Sequence, residues 1–511
     1  MKTLLPDTSM ALREPHSGPV SGVLLRASHV LGFFSVVLLC LNAFPYGPVS
    51  WLYPERPAYL VGLAGMLCYL TSLRWLSQIR RHRMLLLIVG LIIAHGFAVS
   101  IAGALRISPD VGPDVGPGGG LVGFTLFNFW FRKAIPTLYV LWFAFMLSAM
   151  DGEKRRRFFL GALVVMFLLN AAHMVLENLA NFGLQGIKDW LVSVNPLFRK
   201  VASSHGGWPP SYYIDRVRGL FAEPSHLAYA LIPLLGFFFC KLERKALYIL
   251  PIAFIAFSFT LKIPTATGLI SLGLFLAFFL YRKLRSCPAK TRLAACALLA
   301  VAVSAALFAC REDIAGQYRR YAREWKLAGE IVTYARLSEE GLQPAPPNVE
   351  GPRSRFFTRM ACLRMEADIA FRHPLGTGFY LSGFSWAPLQ RWSSSPLELF
   401  VYVREAFTRP VPVIPHLCEY SALASELGFI GLALFLWLCL YSGSRVYRAN
   451  KEKKEAFLSY ALFSLLVFMA SLFSFALKSG FLLYFFLGFL YSLVIDSQNN
   501  HMTCSRGEKP I

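Results

Sequence analysis

The chain has 511 residues, of which 56% are hydrophobic and only 16% charged, and its formal net charge is +22. An average soluble domain is nearer a quarter charged, so folding as a water-soluble globule is excluded. The basic excess falls in short clusters between apolar stretches, a pattern of membrane topology that argues against nucleic acid as a partner.

Runs of roughly 17 to 25 apolar residues are what a helix needs to cross about 30 Å of hydrocarbon, where only internally bonded backbone is tolerated. In chain order they lie near residues 24 to 44, 57 to 74, 84 to 105, 122 to 150, 158 to 178, 221 to 240, 246 to 261, 265 to 281, 293 to 310, 420 to 443, 456 to 476 and 479 to 495. The expected fold is therefore an all-α polytopic membrane protein of about 12 transmembrane helices. A polar, Pro-containing leader, residues 1 to 23, precedes the first run, which reads as a retained anchor and not as a cleaved signal.

The connections alternate in charge. Arg74, Arg80, Arg81 and Arg83 share one; Lys154 to Arg157, then Lys241, Arg244 and Lys245, then Arg282, Lys283 and Arg285, then Arg445 to Lys454 follow at alternate positions. By the positive-inside rule these are cytoplasmic, as are both termini, including the tail 496 to 511. Two long segments then fall outside, 179 to 218 and 311 to 415, the second lying between spans 9 and 10, after the region 24 to 310 that carries spans 1 to 9 and before the region 416 to 495 that carries spans 10 to 12. Within the larger one, an amphipathic stretch from Tyr318 to Leu337 is followed by a Pro-rich break at 343 to 347. A helix is predicted from Arg355 to Arg372, with Phe356, Met360, Leu363 and Ala367 on its apolar side and Pro374, Gly376 and Gly378 ending it. A loop this long usually carries function.

The 10 cysteines lack the paired spacing of a zinc site or disulfide framework. Cys310, Cys362 and Cys418 would face an oxidising compartment, which leaves one disulfide open to them. No carboxylate pair with metal-ligand spacing stands in the outer segments, so neither a divalent ion nor another cofactor is expected.

An ionisable group at membrane depth costs several kcal/mol unless paired or hydrated, which makes each one a candidate site. The densest cluster is Asp215-Arg-Val-Arg-Gly-Leu-Phe-Ala-Glu-Pro-Ser-His226. Arg216 and Arg218 there present rigid, permanently charged forks suited to a phosphate or pyrophosphate, and snorkelling to the interface is the structural alternative. Arg132 and Lys133 interrupt a long apolar run just before Pro136, which predicts a broken or interfacial helix facing anionic lipid or a lipid phosphate. Asn170, His173 and Glu177 share one helix face, where interhelical hydrogen bonding is the simpler reading. His416 opens the span after the large loop, with Glu419 and Glu426 behind it.

Three of these stretches, in this order, resemble the O-antigen ligase and O-antigen polymerase superfamily. Arg216 through Leu231 resembles the family's arginine-containing entry to a span. Arg359 through His373-Pro-Leu-Gly-Thr-Gly-Phe379 is similar to its helix ending in Pro-Leu-Gly-x-Gly, and His416 through Ser425-Glu-Leu-Gly-Phe-Ile-Gly431 to its histidine followed by Glu-x-Gly-x-x-Gly. The chain departs from the family in having Leu417 directly after the histidine. Glu223-Pro-Ser225 looks more like the polymerases than the ligases.

The resemblance implies a GT-C-like membrane glycosyltransferase in a bacterial inner membrane, acting on its periplasmic face. It further implies a glycan donor linked to undecaprenyl pyrophosphate. The acceptor would be a second lipid-linked repeat unit of O-antigen or exopolysaccharide, or lipid A core in a ligase. A chain-length regulator is a partner expected only by analogy, beside lipid-linked oligosaccharides and membrane lipids. Arg216, Arg218, Arg355 and Arg359 are then candidates to stabilise charge on the departing pyrophosphate, with Arg132 and Lys133 nearby, and Glu223 or His416 is the candidate general base. A transporter or flippase of a lipid-linked glycan is the rival class. Such proteins usually show two similar halves, and the long loop has no counterpart in the first half.

Overall fold

In the computed structural model the described residues are 19–41, 56–107, 120–198, 217–221, 224–260, 266–285, 287–290, scattered positions between 319 and 333, 355–383, 418–472 and 482–493. Among them every regular element is helical and no strand occurs. Among the described residues six helices are long and apolar enough to cross a membrane: Val20–Leu41, Arg83–Ile107, Gly152–Asn181, Ser225–Leu242, Thr267–Arg285 and Glu419–Lys453. Shorter apolar helices lie at Pro57–Thr71, Ala246–Thr260, Ala456–Ser471 and Leu482–Ser492. Each expected span thus contains helix except 293 to 310, which is outside the described residues.

We label the helices α1 (Pro19–Val37), α2 (Arg56–Thr71), α3 (Arg83–Ile107), α4 (Leu121–Phe129), α5 (Ile135–Ser148), α6 (Gly152–Asn181) and α7 (Gln185–Phe198). There follow α8 (Pro224–Leu242), α9 (Ile249–Thr260), α10 (Ala266–Arg285), α11 (Arg355–Arg372), α12 (Glu419–Lys453), α13 (Ala456–Ser471) and α14 (Leu482–Ser492). Helices α5 and α14 are apolar all round and buried along almost their whole length, as such a composition requires. Their backbones approach closely at Gly488, where a Cβ would lie 2.7 Å from the Val140 carbonyl oxygen, and Phe485 stacks on Tyr139 at 5.3 Å. Around this centre α1 packs on α2, α8 on α10 and α13, and α12 on α3 and α11. Large apolar side chains remain exposed on the outer faces, among them Leu67, Leu87, Leu168, Ile270 and Leu440. That is surface a bilayer, and not water, would cover.

Two local expectations need correction. The run interrupted by Arg132 and Lys133 does not break. A single π-helical turn, Trp130–Ala134, joins α4 to α5 without a gap, and Pro136 follows directly after it, so that the widened turn accommodates a residue with no N–H to donate. On α11 the buried stripe is Cys362, Met365, Glu366 and Ile369, while Leu363 and Ala367 sit at its half-buried edge. The face is rotated because Glu366 points inward and accepts a hydrogen bond from Ser421 Oγ of α12. The side chains of Phe356 and Met360 lie outside the described residues. Trp325, in the amphipathic stretch before α11, stacks under the Arg364 guanidinium at 4.1 Å. Cys362 and Cys418 are both free thiols, buried in the helix packing, and Cys310 lies outside the described residues.

Candidate functional site

Helix directions put the charged groups of interest at one end of the bundle. Helices α5, α8 and α10 run toward the basic connections, as does α12, whereas α3 and α6 start from them. The π turn, the start of α12 and the far ends of α3 and α6 therefore gather at the opposite end.

At that end the loop 373–381 after α11 is sewn into a break in α12. Gly428 sits at φ 71°, ψ 178° and interrupts the helix, which frees the neighbouring backbone groups. An unsatisfied peptide group in hydrocarbon costs several kcal/mol, so each needs a new partner. The loop supplies them. Thr377 N and Thr377 Oγ1 both donate to the Ser425 carbonyl at 3.0 Å, and Gly378 N donates to that of Glu426 at 2.9 Å. Phe429 N donates to the Pro374 carbonyl at 3.0 Å, and His95 Nε2 of α3 donates to that of Leu427 at 2.8 Å. The glycines permit the approach: a Cβ on Gly376 would lie 2.6 Å from the Glu426 carbonyl oxygen, and one on Gly103 of α3 only 1.9 Å from that of Thr377.

Tyr380 closes this seam. It is a non-glycine residue at φ 64°, a conformation costing about 1 kcal/mol or more, and it is held there from both sides. Its N–H donates to Glu426 Oε1 at 3.1 Å, its hydroxyl accepts from Arg132 Nη1, and the Arg132 guanidinium lies 4.8 Å from its ring centroid. Beside it, Lys133 is buried and donates to Glu419 Oε1 at 2.9 Å, with its ammonium 5.5 Å from the Phe435 ring. Arg132 thus belongs to the seam and Lys133 to an internal ion pair.

The second assembly is built on α6. Glu177 Oε2 accepts from the backbone N–H groups of Arg218 and Gly219 at 2.9 and 2.8 Å, and Asn170 Oδ1 accepts from Leu220 N at 2.9 Å. Gly219, at φ 58°, makes the turn, and a Cβ there would meet Asn170 Oδ1 at 2.6 Å. The turn seats Arg218 with only 2% of its surface exposed and its Nε 3.9 Å from Glu177 Oε1. His173 Nδ1 lies 3.4 Å from the same carboxylate. Sequence periodicity gave this inward face of α6, but not that its target is the arginine turn itself.

Arg216, Glu223 and His416 lie outside the described residues, and so do the side chains of Arg355 and Arg359, whose backbones belong to the first turns of α11. Tyr380, Glu366 and His95 escaped the sequence reading, and Thr377 entered it only as part of the Pro-Leu-Gly-Thr-Gly run. Their one advance signal was the glycine pattern at 376, 378 and 428. Among the described residues no group of three or more His, Cys, Asp or Glu side chains gathers as a metal site would require.

Two results are expected here. Glu419→Gln would leave the buried Lys133 ammonium unmatched and lower stability by roughly 3 to 5 kcal/mol, whereas Lys133→Met with Glu419→Leu would be near neutral. Thermal unfolding in detergent reads both, and equal melting of the single and double variants would disprove the pairing. His373 follows α11, and burial, reinforced by the Arg106 and Arg372 charges, holds its pKa below the ordinary value of 6.5. The unfolded chain then binds the proton more readily than the folded one. Stability therefore rises with pH through that window and falls on acidification below about 6.5. His373→Gln should flatten that part of the melting profile between about pH 7.5 and about pH 5.5.

The fold and these buried polar seams define an all-α, multi-pass membrane protein. No protein-family model matches the chain, and no curated protein matches it.

Proposed function

We propose that the protein is a membrane glycosyltransferase that polymerises O-antigen or exopolysaccharide repeat units from undecaprenyl pyrophosphate. It works in a bacterial inner membrane with about twelve spans of GT-C-like arrangement, its termini cytoplasmic and its long loop periplasmic. In the reaction, the hydroxyl of a lipid-linked acceptor attacks the donor's anomeric carbon. The bond from that carbon to the pyrophosphate oxygen breaks, and the hydroxyl proton passes to Glu223 or His416. The electron pair leaves on undecaprenyl pyrophosphate, whose growing charge is met by Arg216 and Arg218, aided by Arg355 and Arg359 and, from the seam, by Arg132.

The observation that supports this reading best is the seating of Arg218. A guanidinium 98% buried, on a turn clamped by two charge-assisted backbone bonds to Glu177, costs little reorganisation when charge develops beside it. A cation that only anchored the protein to headgroups would reach outward into water instead. A second support is that the two later family-like stretches, around 373–379 and 425–431, are joined by backbone hydrogen bonds at the same end of the bundle.

The test is to incubate purified protein in detergent with a lipid-linked repeat unit and no energy source, and to separate the products by gel. Longer lipid-linked glycans are the expected result, and no elongation would end the polymerase reading. In a deletion strain, surface glycan restricted to one repeat per acceptor marks a polymerase. Full-length chains accumulating on the carrier would mark a ligase instead.

A further inference from the structure

At the other, basic end of the bundle a cavity of about 910 Å³ opens between the start of α6, the end of α8 and the α12–α13 junction. Five cations line it, Arg156, Arg157, Lys241, Arg244 and Lys453, against two carboxylates, Glu153 and Glu455. Arg156 is matched by Glu455 at 2.5 Å and Arg157 by Glu153 at 2.5 Å. The latter pair is exposed on both sides, 78% and 74%, and such pairs contribute little, so its arginine is available to another anion. Among the described residues no ion pair involves Lys241, Arg244 or Lys453, all three of them exposed.

The wall beneath these charges is apolar. Leu160 and Val164 stand one helical turn apart on α6, facing Phe237 of α8 and Phe457 of α13. From Arg157 to Val164 the helix descends about 10 Å toward the hydrocarbon. The cavity therefore offers cations at headgroup level and an apolar slot directly below. A soluble anion would need only the first of these, and an acyl chain only the second.

We infer that this cavity binds a phospholipid with an anionic headgroup, taken from the leaflet in which the basic connections lie. The phosphate sits among Lys241, Arg244 and Lys453, and the acyl chains run down between α6 and α8. Each Lys or Arg near an anionic lipid surface is worth about 1 kcal/mol, so three give a preference over a zwitterionic lipid of about a hundredfold.

The full-length protein, wild type and as the triple variant Lys241→Gln, Arg244→Gln, Lys453→Gln, is incubated in mild detergent with phosphatidylglycerol or phosphatidylcholine. Bound lipid is then counted by native mass spectrometry. Wild type is expected to retain phosphatidylglycerol preferentially, and the triple variant to lose at least about tenfold of that preference at an unchanged melting temperature in phosphatidylcholine. Should the triple variant melt early, Arg244→Gln alone, at an exposed side chain without an ion pair, is expected to weaken retention in the same direction. Equal retention by wild type and both variants would overturn the site. So would displacement of the lipid by inorganic phosphate, which would make it a free-anion site. Retention that appears only after deletion of residues 494–511 would also overturn it, by assigning the cavity to the chain's own tail.

Discussion

Elongation by Arg216→Ala or Arg218→Ala protein is expected to fall by a hundredfold or more, the cost of removing one preorganised donor from a developing oxyanion, about 3 kcal/mol. For Arg218 the loss should appear in kcat and not in KM, because a guanidinium aimed at the leaving pyrophosphate binds most strongly as charge grows there. Arg218→Lys keeps the charge but loses the planar fork, and should recover only part of the rate. Because the Arg218 side chain is 2% exposed, its removal also leaves a hole beside Glu177. Melting temperature must therefore be read alongside activity. Glu177→Gln tests the clamp itself: it weakens the hold on the Arg218 and Gly219 N–H groups and removes the carboxylate 3.9 Å from Arg218 Nε, so melting temperature should fall together with rate. We expect it to cut the rate while changing KM little. Normal elongation in both arginine variants would remove the leaving-group role and the proposed function with it.

Gly103→Ala and Gly428→Ala are expected to be the most damaging single methyl additions in the described part of the chain. At Gly103 the new Cβ would lie 1.9 Å from the Thr377 carbonyl oxygen and 3.1 Å from Gly378 Cα, all of it backbone that cannot rotate away. At Gly428 it would lie 2.4 Å from the Leu375 carbonyl carbon, on a residue at φ 71° where a side chain adds roughly 1 to 2 kcal/mol of strain. Either change must lift the 374–381 loop off α3 and α12, and overpacking of this kind costs about 3 kcal/mol or more. The broken α12 would then lose the partners for its freed carbonyls, so melting and elongation should fail together. Gly90 and Gly273 provide the comparison. Both are helical with nothing within 4 Å of an added Cβ, and Ala there should be neutral or raise stability by roughly 0.5 to 1 kcal/mol. If Gly103→Ala melted like Gly90→Ala, the docking of the loop would be disproved.

Helix content and the places of the apolar helices among the described residues were legible from hydropathy because burying backbone in hydrocarbon leaves helix as the one local solution for an isolated apolar run. The alternation of Arg and Lys between runs likewise identified the basic end, where Arg156, Lys241, Arg244 and Lys453 meet. The end of α11 was readable too, since Pro374 interrupts helical hydrogen bonding and Gly376 and Gly378 readily take the positive φ that leaves a helix.

What residue order could not reveal was pairing across the bundle. Lys133 and Glu419 stand far apart in the chain, as do Arg132 and Tyr380, and no period or spacing links one member to the other. The same holds for Thr377 and Ser425, whose contact exists only because Gly428 interrupts α12 and a loop from elsewhere fills the gap. Sequence by itself determined where helices form and which end carries the positive charge, since both follow from local transfer of apolar and charged groups between water and lipid. Tertiary structure decided which buried charges are matched and which guanidinium is held in place. Those choices depend on distances that only the packed bundle sets.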